Sequence, residues 1–201
     1  MMEREYEKAK EAFETYNLNS EYEIMQNVLK YIYERIIKNK LEIEKILDLC
    51  KSKYTYEDII KKVKEVLSEK IEYKSQVNVT RRDDGFLSAI YKTAIGVVAV
   101  ECFDLLESIK YMLEAIKTRN SIILSDIEYK EDDEKHLLLL IIHEALSKFN
   151  INNNIIQILP YEECDYEKCD KVIYTYEKIF PVYRIVPFLM CQSGIPPCCS
   201  N

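Results

Sequence analysis

The sequence predicts an α/β protein with a helical N-terminal segment and a doubly wound, mostly parallel sheet. Two observations carry this prediction. From residue 94 onwards, four short apolar runs rich in β-branched residues follow one another, which is typical of buried strands. The first three runs are separated by segments with helical periodicity, and a strand–helix–strand–helix order is typical of parallel sheets with right-handed crossovers. Residues 1–70, by contrast, show helical periodicity alone.

Residues 1–70 are predicted to form four helices that pack on the sheet. The first helix carries an apolar stripe at helical spacing, formed by Tyr6, Ala9, Phe13 and Tyr16. Ser20 with Glu23, and Thr55 with Asp58, have the spacing of capping boxes, so these pairs are predicted to begin the second and fourth helices. A third helix is predicted between them, over residues 41–50.

The segment that follows is predicted to contain the sheet. Residues 71–79 alternate between apolar and polar types, which indicates a half-exposed strand or a hairpin arm, and the sequence RRDDG at 81–85 predicts a turn. The buried strands are predicted over four ranges: 94–100, 121–125, 154–159 and 171–175. This organisation gives a sheet-containing domain over 71–178, and a tail of different composition over 179–201.

Two helices are predicted between the strands. Asp104 is expected to cap a helix that runs to Ile116. The second helix is predicted over 131–149, and its acidic first turn suits the positive end of the helix dipole.

Composition excludes several classes of protein. A net charge of −7 argues against a nucleic-acid surface or an anionic membrane surface. The longest strictly apolar run, Leu137–Ile142, is too short to cross a bilayer, and the charged N-terminus does not resemble a signal peptide. Seven scattered cysteines suit reduced thiols rather than a secreted disulfide framework, so a cytoplasmic protein is expected.

Four segments, in order, resemble the N-terminal, nucleotide-binding half of the aldehyde dehydrogenase superfamily. They are YEKAKEAFETYNLNSEYEIMQNVLKYIYERI, AIGVVAV, AIKTRNSIILS and IIHEALSKFNINNNIIQIL. The last two are most similar to the CoA-acylating and γ-glutamyl phosphate reductase branches, respectively. The resemblance covers roughly residues 5–177 and implies a Rossmann-like sheet. It also implies NAD(P)-linked conversion between an aldehyde and an activated acyl group through a cysteine thioester.

The resemblance implies three cofactor-binding residues. Ser125 stands at the end of the second strand, at the position where many family members have a lysine that holds the adenosine ribose. Asp126 follows it and could accept hydrogen bonds from ribose hydroxyls, or could simply cap the next helix. Thr175 begins the phosphate-facing turn, where Tyr176 and Glu177 replace the usual glycine and small residue. The bulk and charge of these two residues argue against ordinary dinucleotide binding.

No catalytic residue and no metal ligand is assigned from the sequence. The family's oxyanion asparagine has no counterpart in ECFDLLES, and Cys102 in that stretch is expected to be a small buried residue. Cys164 and Cys169 are spaced differently from the commoner zinc pairs, and His136 and His143 are expected to be structural. The family's catalytic cysteine is expected in a further domain, so the chain is interpreted as truncated and divergent.

The sequence therefore indicates an aldehyde dehydrogenase-like protein that does not contain the complete catalytic machinery. The expected small-molecule partners are NAD or NADP, or CoA. A homo-oligomer or a protein partner is expected to cover the exposed sheet surface. The alternative is a non-catalytic interaction module, or a truncated gene product, derived from the same family.

Overall fold

The computed structural model describes residues 2–19, 22–69, 80–81, 87–88, 94–102, 104–126, 130 and 133–175. The predicted strand at 71–79, the Ser20 cap, Tyr176, Glu177 and the tail from 179 onwards lie outside these residues. The described N-terminal part forms α1 (Met2–Asn19), α2 (Tyr22–Lys38), α3 (Lys40–Leu49) and α4 (Tyr56–Ser68).

The predicted cap of α4 is confirmed. The Asp58 backbone N–H donates to the Thr55 hydroxyl, and the Thr55 backbone N–H donates to the Asp58 carboxylate at 2.9 Å. This reciprocal pair satisfies N–H groups that have no partner within the helix. The chain direction at the start of α4 is therefore set by local side chains.

The buried face of α1 differs from the predicted stripe. Ala9 and Tyr16 are buried as expected, but Ala12 is buried in place of Phe13, which is only half-buried. Ala9 belongs to the same apolar cluster as Val97 and Ala99 of the sheet, and small side chains allow the α1 backbone to come close to the strands.

The sheet confirms the predicted fold class. A short antiparallel pair, β1 (Thr80–Arg81) and β2 (Leu87–Ser88), precedes it. The main sheet contains β3 (Val97–Glu101), β4 (Ser121–Asp126), β5 (Ile156–Pro160) and β6 (Lys171–Tyr174). Its order is β5-β4-β3-β6 and every pairing is parallel. The four strands correspond to the four predicted apolar runs, with ends shifted by up to three residues.

Two further helices connect the strands. The first, α5 (Leu105–Thr118), is capped by Asp104 as predicted, because its carboxylate accepts from the backbone N–H groups of Leu106 at 3.0 Å and Glu107 at 3.1 Å. The second, α6 (Glu134–Lys148), begins three residues later than predicted, because Asp133 accepts from the His136 N–H at 2.8 Å.

The sheet is covered on both faces. Val98 and Val100 belong to a large apolar cluster that includes residues of α2, α4, α5 and α6. Val97 and Ala99 belong to a smaller cluster with Ala9 of α1 and Cys164. Because strand side chains alternate between faces, a strand buried on both sides is apolar throughout, as β3 and β4 largely are. No helix among the described residues is long and apolar enough to cross a membrane.

Candidate functional site at the carboxyl edge of the sheet

The strand order creates a reversal point at the carboxyl edge of the sheet. From β3 the chain moves to β4 and β5 on one side, and then returns to place β6 on the other side of β3. Ligands of open α/β sheets bind outside the carboxyl ends of the strands at such a reversal. The ends of β3, β4 and β6 are therefore where a ligand is expected.

The three sequence-predicted residues lie along this one edge. Ser125 and Asp126 end β4, and Thr175 directly follows β6. Glu101, the last residue of β3, pairs in register with Ser125 on one side and with Tyr174 on the other. The predicted residues thus flank β3 from both sides.

Ser125 is fully buried, and its side chain is held by a tyrosine. The Tyr166 hydroxyl donates to Ser125 Oγ at 2.6 Å. Tyr166 belongs to a single 3-10 turn, Tyr166–Lys168, that precedes β6. Burial raises the pKa of the Tyr166 hydroxyl, so this group stays a neutral donor. A ligand that contacted Ser125 Oγ would therefore have to displace the Tyr166 hydroxyl.

Asp126 is also buried, with 1% of its surface exposed, and it forms an ion pair with Lys135. Lys135 comes from the first turn of α6. The alternative interpretation of Asp126 as the cap of this helix is wrong, because Asp133 caps α6 instead. The Asp126 carboxylate therefore binds the Lys135 ammonium group and does not cap α6.

Lys135 is a candidate that sequence reasoning missed. It is 8% exposed and places a positive charge at the end of β4, where it pairs with Asp126. The only local signal was a lysine in the first turn of an acidic helix start, where the helix dipole disfavours cations. Its carboxylate partner, nine residues earlier, offsets that cost.

Thr175 links the end of β6 to the end of β3 by hydrogen bonds. Its hydroxyl donates to the Glu101 carbonyl oxygen at 2.7 Å, and its backbone N–H lies 3.3 Å from the same oxygen. The Glu101 carbonyl thus accepts from both groups. The hydroxyl oxygen of Thr175 keeps lone pairs that can accept a further hydrogen bond.

Three tyrosines add an aromatic surface beside these polar groups. The Tyr166 ring lies between those of Tyr161 and Tyr174, with ring centroids 5.9 and 6.5 Å apart, respectively. Tyr161 and Tyr174 are exposed. The edge therefore combines buried polar groups with an exposed aromatic rim, a mixture that suits a partly apolar, partly polar small molecule.

Cys102, directly after β3, does not have the surroundings of a nucleophilic cysteine. Its side chain is buried, its backbone N–H donates to the Ser125 carbonyl at 3.1 Å, and burial raises the pKa of its thiol. A thiol with a raised pKa carries little thiolate near neutral pH. This agrees with its interpretation as a small buried residue.

The remaining sequence candidates have structural contacts. His143 Nε2 lies 2.8 Å from the Ile156 carbonyl oxygen and can donate a hydrogen bond to it. Cys164 and Cys169 are free thiols. Within the described part of the chain, no group of three or more His, Cys, Asp or Glu side chains could hold a metal ion.

Comparisons with known proteins bear on the fold. No protein-family model matches the chain, and no curated protein matches it by sequence. Solved structures do match. γ-Glutamyl phosphate reductase from Saccharomyces cerevisiae aligns with a TM-score of 0.72 and 16% identity, over 88% of this chain and 51% of that one. The Thermotoga maritima γ-glutamyl phosphate reductase aligns with a TM-score of 0.63 and 17% identity, over 83% and 44%, respectively.

A third match is a glyceraldehyde-3-phosphate dehydrogenase from Methanocaldococcus jannaschii in complex with NADP. It aligns with a TM-score of 0.60 and 20% identity, over 83% of this chain and 37% of that one. The chain thus spans about half the length, or less, of these three structures. At such low identity the similarity concerns the fold, and at that level it confirms the resemblance inferred from the sequence. The chain has the fold of one part of γ-glutamyl phosphate reductases and aldehyde dehydrogenases.

Proposed function

We propose that the carboxyl edge of the sheet binds an adenine dinucleotide, NAD or NADP, as part of an aldehyde dehydrogenase-like oxidoreductase. One observation carries this proposal: Ser125, Asp126 and Thr175 lie at strand ends on either side of the reversal point of a β5-β4-β3-β6 sheet. Structures with the same fold include one determined with NADP. The NAD(P)-linked chemistry is carried over from that likeness.

Burial sets a condition on binding. Ser125 is buried with the Tyr166 hydroxyl on its Oγ, and Asp126 is buried against Lys135 of α6, so a nucleotide reaches Ser125 only when Tyr166 moves away. The Tyr166 hydroxyl then competes with the ligand for Ser125 Oγ. Loss of one such hydrogen bond costs about 1 kcal/mol of free energy, which the binding free energy of a ligand of ordinary affinity exceeds.

The same geometry limits the chemistry proposed for the described residues. Acyl transfer through a thioester needs a reactive thiolate, and Cys102 at this edge is buried with a raised pKa. We therefore assign nucleotide binding, and not the covalent step, to this part of the chain. The proposed setting is the cytoplasm, where free thiols such as the four described ones are the normal state.

Calorimetric titration with NAD, NADP and CoA tests the proposal. Binding of NAD or NADP is expected, and binding of CoA alone would reassign the edge to an acyl carrier. Thr175→Val should weaken dinucleotide binding about fivefold, the equivalent of one hydrogen bond. Thr118→Val is the matched control at the opposite edge of the sheet, where its hydroxyl donates to the Glu114 carbonyl at 2.7 Å. No heat at millimolar concentrations of any ligand would contradict the proposal.

Tyr166→Ala tests the competition directly. Removal of the ring and hydroxyl should tighten dinucleotide binding by up to about fivefold, because the ligand no longer displaces a hydrogen bond. Tyr161→Ala is the matched control, since Tyr161 lies in the same aromatic group and has no hydrogen bond to Ser125. Equal effects of the two substitutions would show that Tyr166 does not compete for Ser125.

A second function, protein association, is favoured by exposed apolar side chains. Leu41 and Leu49 of α3 are 82% and 68% exposed, and Ile37 of α2 and Leu140 of α6 are exposed as well. Exposed apolar surface of this kind favours a homo-oligomer or a protein partner. Gel filtration with light scattering tests self-association, and a monomer at micromolar concentration would contradict the homo-oligomer.

A further inference from the structure

Two cysteines that the proposed function does not use lie together in the segment between β5 and β6. Cys164 follows the 3-10 turn Tyr161–Glu163, and Cys169 follows the next 3-10 turn, Tyr166–Lys168. The chain between them completes one turn and returns, so both side chains pack in the same small cluster against β3 and β4. Both residues have extended backbone conformations and both thiols are free.

Their side chains contact each other. The neighbouring Cys169 sulfur and burial raise the pKa of the Cys164 thiol, and the Cys169 thiol donates to the Asp165 carbonyl oxygen at 3.4 Å. Cys169 is partly exposed and Cys164 is buried. The pair is therefore asymmetric: a reagent in solution can reach the partly exposed Cys169 sulfur, whereas the Cys164 sulfur is buried.

We propose that Cys164 and Cys169 are a redox modification site, at which a small disulfide such as oxidised glutathione converts the two thiols to an intramolecular disulfide. The accessible Cys169 thiolate attacks one sulfur of the oxidant, and one glutathione thiolate leaves. The Cys164 sulfur then attacks Cys169 Sγ and expels the second glutathione as a thiolate, which takes up the Cys164 proton. Two protein thiols are oxidised and one small disulfide is reduced to two thiols.

The proposed disulfide joins two residues that lie on either side of Tyr166 in the sequence. The loop it closes contains Tyr166, whose hydroxyl donates to Ser125 Oγ at 2.6 Å across the sheet edge. A disulfide between the two flanking cysteines fixes this turn at both ends. Oxidation should therefore hold Tyr166 over Ser125, and reduction should release the turn.

Peptide mapping of the full chain tests the site without any substitution. After incubation with oxidised glutathione, free thiols are alkylated and the protein is digested with trypsin. Trypsin cleaves after Lys168, between the two cysteines, so peptide 149–168 and peptide 169–171 stay joined only if the disulfide has formed. The expected result is this joined pair, lost on reduction. Recovery of both peptides separately, with both cysteines alkylated or glutathionylated, would overturn the proposal.

Two variants test which cysteine reacts first. Both are made in a background where Cys191, Cys198 and Cys199 are replaced by serine. Cys164→Ser should stop the reaction at a stable glutathione adduct on Cys169. Cys169→Ser should leave Cys164 unmodified, because the buried thiol is not reached first. Cys50, an exposed cysteine outside this cluster, is the internal control and should keep its adduct in every variant. Reaction of Cys164 at an undiminished rate in Cys169→Ser would overturn the assigned order.

Discussion

The two edges of the main sheet use buried polar side chains in different ways. At the amino edge, side chains bind backbone. Asn120 Oδ1 accepts from the N–H groups of Ile95 at 2.6 Å and Gly96 at 3.2 Å, and Asp170 Oδ2 accepts from the Val97 N–H at 2.8 Å. These bonds satisfy the N–H groups at the start of β3. The amino edge thus fixes the position of the chain.

At the carboxyl edge, side chains mainly bind one another. Tyr166 donates to Ser125, and Lys135 pairs with Asp126. Such contacts can be exchanged for contacts with a ligand, whereas a side chain that satisfies a buried backbone group cannot leave without exposing it. The difference teaches that substitutions at the amino edge should lower stability, and that those at the carboxyl edge should mainly change binding.

The largest expected effect is at Gly96. Its φ of +131° is rarely adopted by other residues, and a Cβ atom there would lie 2.0 Å from Asp170 Oδ2. Gly96→Ala should therefore both strain the backbone and displace the Asp170 carboxylate, lowering the free energy of unfolding by about 3 kcal/mol. Urea denaturation measures this, and a loss below about 1 kcal/mol would mean that the amino edge adapts easily.

Asn120→Ala should have the next largest effect. It leaves the N–H groups of Ile95 and Gly96 without their acceptor in a buried place, which should lower the free energy of unfolding by about 2 kcal/mol. Asn152→Ala is the matched control. Asn152 is exposed and its side chain accepts from the Asn154 N–H, so the loss on removing that side chain should stay at or below about 1 kcal/mol. Equal losses would contradict the role given to Asn120.

His143 should make the fold sensitive to mild acid. Burial lowers the pKa of its imidazole, so the unfolded chain takes up a proton more readily than the folded chain does. The contribution of neutral His143 is complete above about pH 6.5 and declines as the pH falls below that value, at no more than about 1.4 kcal/mol per pH unit. Denaturation at pH 7.5 and pH 5.5 should show this loss, and His143→Gln should reduce it. An unchanged slope in the variant would contradict the assignment.

The smallest expected effect is an increase in the free energy of unfolding. Lys51 adopts a left-handed φ of 52° after α3, and its side chain is exposed. Lys51→Gly should relieve that conformation and raise the free energy of unfolding by about 0.5 kcal/mol. Asn150→Gly, at the corresponding place after α6, should gain less, because asparagine tolerates this conformation better than lysine does.

Local signals in the sequence were sufficient for most of the fold. Four apolar runs predicted the four strands, and the caps at Thr55 and Asp104 are where the spacing placed them. The start of α6 was placed too early, because 131–134 is acidic throughout and several positions could cap. The stripe on α1 was misplaced because tight packing on the sheet selects alanine, which apolar periodicity does not distinguish.

The candidate site was only partly predictable. Ser125, Asp126 and Thr175 were located through family resemblance and strand ends, and their role in binding stays a prediction. Tyr166 and Lys135 were not identified, because their partners lie 41 and nine residues away, respectively, and depend on the path of the chain between strands. Pairings of this kind arise from tertiary structure and leave no periodic trace in the sequence.

Two serines on the same strand provide the most direct test of the division between the edges. Ser121 and Ser125 begin and nearly end β4, both are fully buried, and Ser121 donates to the Ile155 carbonyl at 3.2 Å. Calorimetric titration of Ser121→Ala and Ser125→Ala with the preferred dinucleotide compares them. Ser125→Ala should weaken binding about fivefold, and Ser121→Ala should leave it unchanged. Equal affinities in the two variants, or no binding by the unaltered chain, would contradict a ligand site at the carboxyl edge.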